Sequence, residues 1–340
     1  MKVVVRTSSY THEQLKPVFF EIMDAIGGRT IGKGHHVLIK PNFLIPATPS
    51  QAILTHPLAI RAAVEYVLDR GARATVADSP AMGSFEKVLK DSGVAEALRN
   101  LDVQCHAFRD TVKIDVGKPF DLIDAAAEAV RADWIINLPK MKTHSQMLLT
   151  LGVKNMFGCI VGNRKAEWHL RAGIDRDMFA RLLVQICGKI KPAFTVLDGI
   201  LAMEGDGPGK RGVPKEIGVL MGSADAFSID AAVCRMLGLA PEKMPIMRMA
   251  HRLGFIETPP EIDGTLPVIR DFQFPAMASP MFGPRQAHGF LRRHLLQRPV
   301  VDTPLCRMCG KCWDMCPADA VTPGGGSLLF DRSEERRVGK

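Results

Sequence analysis

Four cysteines, Cys306, Cys309, Cys312 and Cys316, fall within eleven residues near the end of the sequence, and a proline, Pro317, follows the last. Three thiolates at two-residue spacing let one tight loop wrap a cubane, presenting sulfur to three irons while the backbone amides face the sulfides. Structural zinc sites prefer two pairs separated by a longer spacer. The C-x2-C-x2-C-x3-C-P run therefore predicts a 4Fe-4S cluster, with Cys306, Cys309, Cys312 and Cys316 as its metal ligands. In two-cluster modules the fourth cysteine of such a run serves the other cluster. No second run is present, so one cluster is expected here, closed by Cys316 or by a distant cysteine, and two if the natural chain is longer. The last ten residues, 331–340, are charged or small and read as a non-native or disordered tail.

A second constellation lies in the middle of the chain. Asn137-Leu138-Pro139-Lys140-Met141-Lys142-Thr143-His144-Ser145 is densely polar, and Lys154-Asn155 interrupts an apolar stretch from Met147 to Val161, where a charge is costly without a partner. Lys165 and His169 lie just beyond it. Such lysines and histidines, converging on one place, would hold a carboxylate or phosphate, and any lysine whose pKa is lowered by its neighbours could act as acid or base. The candidates for catalysis are Lys140, Lys142, His144, Lys154 and Asn155. Candidates for holding the ligand are Lys40, Asn42, His56, Ser79, Lys165, His169, Asp198 and Glu204. Glu204 opens a glycine-rich loop, Glu204-Gly205-Asp206-Gly207-Pro208-Gly209, which with Asp198 would place three carboxylates near one strand end and admits a divalent metal or a plain turn. The glycine spacing is not that of a dinucleotide fingerprint.

The elements that must position these groups alternate. Val3 to Arg6, His36 to Lys40, Ala74 to Asp78, Trp134 to Leu138, Phe194 to Asp198 and Ile217 to Met221 are short β-branched runs that predict strands. Between them His12 to Ile26, Pro57 to Asp69, Phe85 to Lys90, Arg176 to Ile190 and Ser228 to Leu237 space apolar residues as helices do. The expectation is an α/β domain over 1–274 with a mostly parallel sheet flanked by helices. A basic Pro-rich linker with a short helix, Gln286 to Gln297, spans 275–304, and a small ferredoxin-like iron-sulfur module fills 305–330. In open α/β sheets ligands sit outside the carboxyl ends of the strands. Those ends are polar here: Lys40-Pro41-Asn42, Asp78-Ser79-Pro80, Pro139 through His144, Asp198-Gly199 and Ser223-Ala224-Asp225.

Composition narrows the class. The chain has 340 residues, 46% hydrophobic and 24% charged, enough for a large core. It shows no uninterrupted apolar run of about 18 residues and no apolar leader after Met1, so no transmembrane segment and a cytoplasmic location are expected. The other four cysteines, Cys105, Cys159, Cys187 and Cys234, are isolated in apolar settings, which favours metal ligation over cross-linking for the clustered four. A formal charge of +8, concentrated only between Arg285 and Arg298, permits an anionic ligand or acidic redox partner and does not call for nucleic acid.

Taken in order, Lys40-Pro41-Asn42, Thr55-His56-Pro57, Asp78-Ser79-Pro80, Leu138-Pro139-Lys140 through His144, Lys154-Asn155 with Gly158, and Glu204 through Pro208 resemble the family called Domain of Unknown Function 362, over about residues 35 to 240. The resemblance implies an iron-sulfur protein with a polar cleft and, in many members, a C-terminal module with two cysteine runs. The expected function is electron transfer or oxidoreduction on an anionic small molecule in the cleft, in exchange with a redox partner. The alternative is a non-redox enzyme or ligand-binding protein whose cluster is structural or sensory.

Overall fold

A computed structural model describes residues 1–162, 164–172, 175–277, 301–314, 321–325 and 327–330. The chain forms two compact units, the first from Met1–Lys165 with Arg176–Ser279 and the second from Ala166–Asp175 with Pro280–Lys340.

The first unit opens with β1 (Lys2–Thr7), α1 (His12–Ala25), β2 (His36–Pro41), α2 (Pro57–Asp69) and β3 (Arg73–Asp78). It continues through α3 (Phe85–Asp91), α4 (Val94–Leu98), β4 (Val103–Ala107), a hairpin of β5 (Thr111–Asp115) and β6 (Leu122–Ala126), and α5 (Ala127–Arg131). Next come β7 (Trp134–Leu138), β8 (Lys140–His144), β9 (Leu148–Thr150) and α6 (Gly152–Asn155), and then α7 (Arg164–Ala172), which runs on into the second unit. After α8 (Arg176–Ile190), β10 (Phe194–Gly205), β11 (Gly212–Ser223), α9 (Ala226–Met236), α10 (Pro245–Arg252) and β12 (Glu261–Asp263) complete it.

The main sheet runs β12-β1-β11-β10-β7-β2-β3-β4. The pairs β10 with β7, β7 with β2, β2 with β3, β3 with β4 and β1 with β12 are parallel, and β11 alone on this path runs against its neighbours. The mostly parallel α/β architecture is thus as expected. Central strands of such a sheet are covered on both faces. Along β2, Val37 and Ile39 join the core built with α1 and α2, while Leu38 between them is equally sealed. Helix α1 presents Leu15, Phe19, Ile22 and Met23 at helical spacing to that core.

Several elements extend past their sequence signal. The strand from Phe194 continues to Gly205 and its partner spans Gly212–Ser223, because the two pair antiparallel beyond a register shift between Gly199 and Leu201. Of this ribbon β10 is buried over nearly its whole length, whereas β11 is buried only from Val219 onward. The apolar stretch from Met147 resolves into β9, α6 and a 3-10 turn, Met156–Cys159. Strand β8 continues β7 after Pro139 and also lies beside β10, with Asp198 opposite Lys140 and Met203 opposite Lys142. Residues two apart on a strand share a face, so Lys140, Lys142 and His144 emerge together.

In the second unit, Asp302 accepts the backbone N-H groups of Leu305 and Cys306 at 3.0 and 2.9 Å, a short helix Lys311–Asp314 follows, and β13 (Val321–Gly324) pairs antiparallel with β14 (Ser327–Phe330). The expected helix at 286–297, the ligand Cys316 and the tail 331–340 lie outside the described residues.

Candidate functional site

Two buried ion pairs form the floor. Lys40, wholly buried at the end of β2, meets Asp78 Oδ1 at the end of β3 at 2.9 Å. The other Asp78 oxygen accepts Phe43 N-H at 2.9 Å, and Oδ1 also accepts Ser79 N-H at 2.8 Å. Lys140 meets Asp198 Oδ2 at 3.0 Å, and that oxygen accepts His56 N-H at 2.9 Å. Asp198 Oδ1 receives the Tyr10 hydroxyl at 2.5 Å, and Lys140 donates to the same hydroxyl oxygen at 2.8 Å. Burial, then the charge and hydrogen bond of Asp198, push the Tyr10 phenol well above its usual range. Burial lowers the Lys140 ammonium although Asp198 opposes this. Each carboxylate is saturated, as buried charges must be.

Three further lysines have no carboxylate. Lys142 Nζ donates to Asn42 Oδ1 and to the Ile53 carbonyl, both at 2.6 Å. Burial brings it well below the ordinary lysine range, and the charges of Lys154, Lys140 and Lys40 push the same way, with Asp78 opposing. Lys154 makes no hydrogen bond or ion pair among the described residues; its ammonium lies 5.9 Å from the centre of the Phe157 ring. Burial, assisted by Lys165, lowers it to about 8. Lys165 donates to the Ser79 carbonyl and is likewise lowered by burial to about 8, with Asp78 opposing and Lys40 assisting. These five ammonium groups act on one another electrostatically, and two carboxylates, Asp78 and Asp198, stand among them.

An amide chain holds the cluster together. Asn42 Nδ2 donates to Asn155 Oδ1 at 2.8 Å, and Asn155 Nδ2 donates to Asn137 Oδ1 at 2.8 Å. Asn137 Nδ2 donates to the Gly152 carbonyl at 3.0 Å. Each amide is both donor and acceptor, so the chain fixes all three orientations. Thr55 adds a brace, accepting Asn42 N-H at 2.8 Å and donating to the Leu138 carbonyl at 2.6 Å. Above the first ion pair, a Cβ on Gly158 would stand 2.3 Å from both Lys40 Nζ and Asp78 Oδ1, so only glycine lets the backbone come this close.

The fold thus brings together Lys40, Asn42, His56, Ser79, Lys140, Lys142, Lys154, Asn155, Lys165 and Asp198. Three candidates sit otherwise. Glu204 accepts Gln273 N-H at 3.0 Å and pairs with Lys215 at 3.4 Å, which ties it to the long β10–β11 ribbon. Asp198 and Glu204 therefore serve different partners, and no metal-sized group of three carboxylate, histidine or cysteine side chains occurs among the described residues. His144 is buried, with Nδ1 accepting Gln146 N-H at 3.1 Å. His169 lies on α7 in the second unit.

Sequence reasoning passed over Tyr10, Asp78, Asn137, Thr55 and Asp230. Asp78 and Asn137 stood inside or beside strand-end segments, and Thr55 in the Thr55-His56-Pro57 segment, whose neighbours were chosen instead. Tyr10 obeys the same rule, because β1 is antiparallel to β11, itself antiparallel to β10, and so ends on the edge where the other ligand-bearing strands end. Asp230 gave no such signal: it is a wholly buried carboxylate on α9 that accepts Gly152 N-H at 2.7 Å.

The cysteine loop fits a cluster. Cys306 is half-buried and Cys309 and Cys312 are exposed, although thiols are usually among the most buried side chains. Between them Met308 and Gly310 adopt left-handed backbone, φ 48° and 87°, the kind of winding from which anion-binding backbone concavities are built.

Comparison with known proteins gives four matches. The family model described as Domain of unknown function (DUF362) matches residues 37–235, and that of the 4Fe-4S binding domain matches residues 299–322. The Thylakoid-associated protein sll1697 of Synechocystis sp. is 34% identical over 317 residues, covering 91% of this chain and 98% of that protein. Among solved structures, the lactate racemase apoprotein from Thermoanaerobacterium thermosaccharolyticum aligns with a TM-score of 0.41 at 12% identity over 66% of this chain and 54% of that one. The relative's name associates it with thylakoids, and the expected cytoplasmic location is correspondingly narrowed to one statement: among the described residues no helix is long and apolar enough to cross a membrane.

Proposed function

This chain belongs to the DUF362 family and is an iron-sulfur protein with a C-terminal 4Fe-4S binding domain, and from that premise we propose that it is an oxidoreductase or electron-transfer protein acting on an anionic small molecule at the lysine cluster. One observation carries the reading. Lys142, Lys154 and Lys165 are desolvated without a carboxylate in ion-pair contact with any of them, the nearby Asp78 being paired with Lys40, an arrangement that is costly in an empty site and favourable around an anion. Bound between them, a carboxylate or phosphate would be oriented by Lys142 and Lys154 and shielded from water. Lys154, lowered to about 8, could give or take a proton near neutral pH. The cluster held by the cysteine loop would supply single electrons when present.

The Tyr10, Lys140 and Asp198 group favours a second reading, acid-base chemistry without electron flow, since three titratable groups are coupled in one buried contact. The test is a panel of carboxylates and phosphate esters applied to anaerobically prepared protein, read by thermal stabilisation and by bleaching of the visible absorption with dithionite. We expect anions to stabilise the native chain and not Lys142→Met. A panel without any stabilising anion refutes the reading. Turnover that survives in Cys309→Ser, once a substrate emerges from the panel, decides for the non-redox alternative.

A further inference from the structure

His56 differs from the lysines of the cluster in being uncharged, and its ring is held by two contacts. It caps α2, a helix of 13 residues, with Nδ1 accepting Leu58 N-H at 3.2 Å. An imidazole nitrogen that accepts a backbone N-H carries no proton, so the single proton of the neutral ring resides on Nε2. The ring stacks on Tyr10, with centroids 3.6 Å apart and planes 10° from parallel, and Tyr10 is itself pinned by Asp198 and Lys140. Among the described residues Nε2 makes no hydrogen bond, yet it is not one of the buried polar atoms left without a partner, so it retains contact with solvent.

The loop carrying His56 passes Lys142. Lys142 Nζ binds the Ile53 carbonyl, and Thr55 Oγ1 accepts Asn42 N-H from beside the same lysine. The charged groups facing the ring are Asp198, which binds the His56 backbone N-H, and Lys140; burial, with Lys140 assisting and Asp198 opposing, lowers the imidazole to about 4. Hence it stays neutral where the lysines are charged. Ammonium groups are the stronger partners for anionic oxygens, which leaves a neutral N-H best matched to an uncharged one.

Building on the reading of the lysine cluster as an anion site, we infer that His56 Nε2-H donates to an uncharged carbonyl oxygen of the ligand, so that the site selects oxo acids over plain carboxylates. His56 would then be a specificity-determining residue whose tautomer is set by the α2 cap, in the manner of a neutral imidazole that polarises a carbonyl.

The experiment compares 2-oxoglutarate with succinate, chosen because the oxo acid adds a ketone carbonyl to a dicarboxylate, by calorimetric titration of the full chain and of His56→Asn. Asparagine caps a helix as well as histidine does and cannot present a donor at the position of Nε2. The native protein should bind the oxo acid about tenfold more tightly, the value of one well-placed hydrogen bond. In His56→Asn the ratio should fall to about one with the melting temperature kept. Nitrogen-15 spectra of the histidine-labelled native protein should show His56 as the Nε2-H tautomer, without titration between about pH 5.5 and 8. An Nδ1-H tautomer, a titration near the ordinary imidazole value of about 6.5, or an unchanged ratio in the variant overturns the inference while leaving the anion site intact. If neither acid binds the native chain, the anion site itself fails, and this inference with it.

Discussion

Replacing Lys154 by Met should stabilise the ligand-free protein. The side chain keeps an unbranched apolar stem, one atom shorter, and loses an ammonium that finds no acceptor among the described residues. Its pKa, lowered from 10.5 to about 8 chiefly by burial, means that keeping it charged in the folded chain costs at most about 3.5 kcal/mol at ~1.4 kcal/mol per tenfold. Because the residue is only part-buried, solvent screening reduces the realistic gain to about 1–2 kcal/mol, or a rise in melting temperature of about 2–4 °C for a domain of this size.

The sign of the pH dependence is set by the direction of that shift. Below about pH 8 both folded and unfolded chains carry the proton, and the folded state bears the whole cost. Between about 8 and 10.5 the folded chain has lost the proton while the unfolded chain keeps it, so the native protein gains stability with rising pH. The advantage of Lys154→Met should therefore be largest near pH ~7 and shrink toward pH ~10. Melting curves of both proteins at the two pH values check this, with anion-induced stabilisation expected only for the native chain. A variant that melts lower at neutral pH, or an advantage that does not shrink, refutes the reasoning.

Two other outcomes concern the same groups. Gly158→Ala would force a methyl group against the Lys40–Asp78 pair at 2.3 Å, costing about 1–3 kcal/mol as overpacking, measurable by denaturant unfolding, and weakening anion binding because Lys40 must move. Anion binding near pH 8 should take up on the order of one proton, since Lys154 and Lys165 are then about half neutral and an adjacent negative charge recharges them; titration calorimetry in buffers of different ionisation enthalpy reads the number, which should fall at about pH 6.

Much of this was legible in the sequence because the strands carrying the ligands are central and buried on both faces. Runs such as Val37 to Ile39 and Ile135 to Leu138 announce themselves by composition, and the polar residue that ends each run is conspicuous against it. Lys154 was visible as a charge in an apolar stretch, and Lys140 and Lys142 as part of a densely polar segment that follows a buried strand. What escaped depended on pairing. Nothing local says that β11 reverses direction, and only that reversal puts the end of β1, and so Tyr10, on the ligand edge. Glu204 was misplaced because a register shift between Gly199 and Leu201 changes which way the second half of β10 presents its side chains. The cysteine run needed no fold at all, since its spacing lies within one loop.

Asp230 is the group whose role is hardest to guess and easiest to test. Helix α6 has four residues, Gly152–Asn155, too few to be stable by itself, yet it presents both Lys154 and Asn155. Its first N-H groups are held by one carboxylate on α9, Gly152 N-H at 2.7 Å and Val153 N-H at 3.4 Å. Burial raises the Asp230 pKa well above the usual carboxylate value, so its charged form is a cost that grows as pH rises through the folded pKa. A residue kept at such a cost is explained by the position it enforces. Asp230→Ala would leave two buried N-H groups without an acceptor, a loss of about 1–3 kcal/mol for each, and should abolish anion binding without touching the site. Asp230→Asn keeps the shorter hydrogen bond and removes the buried charge, so its stability should stay within about 1 kcal/mol of the native value and its anion affinity should be largely retained. Equal losses of binding in the two variants would show that the charge of Asp230, and not its hold on α6, is what the site requires.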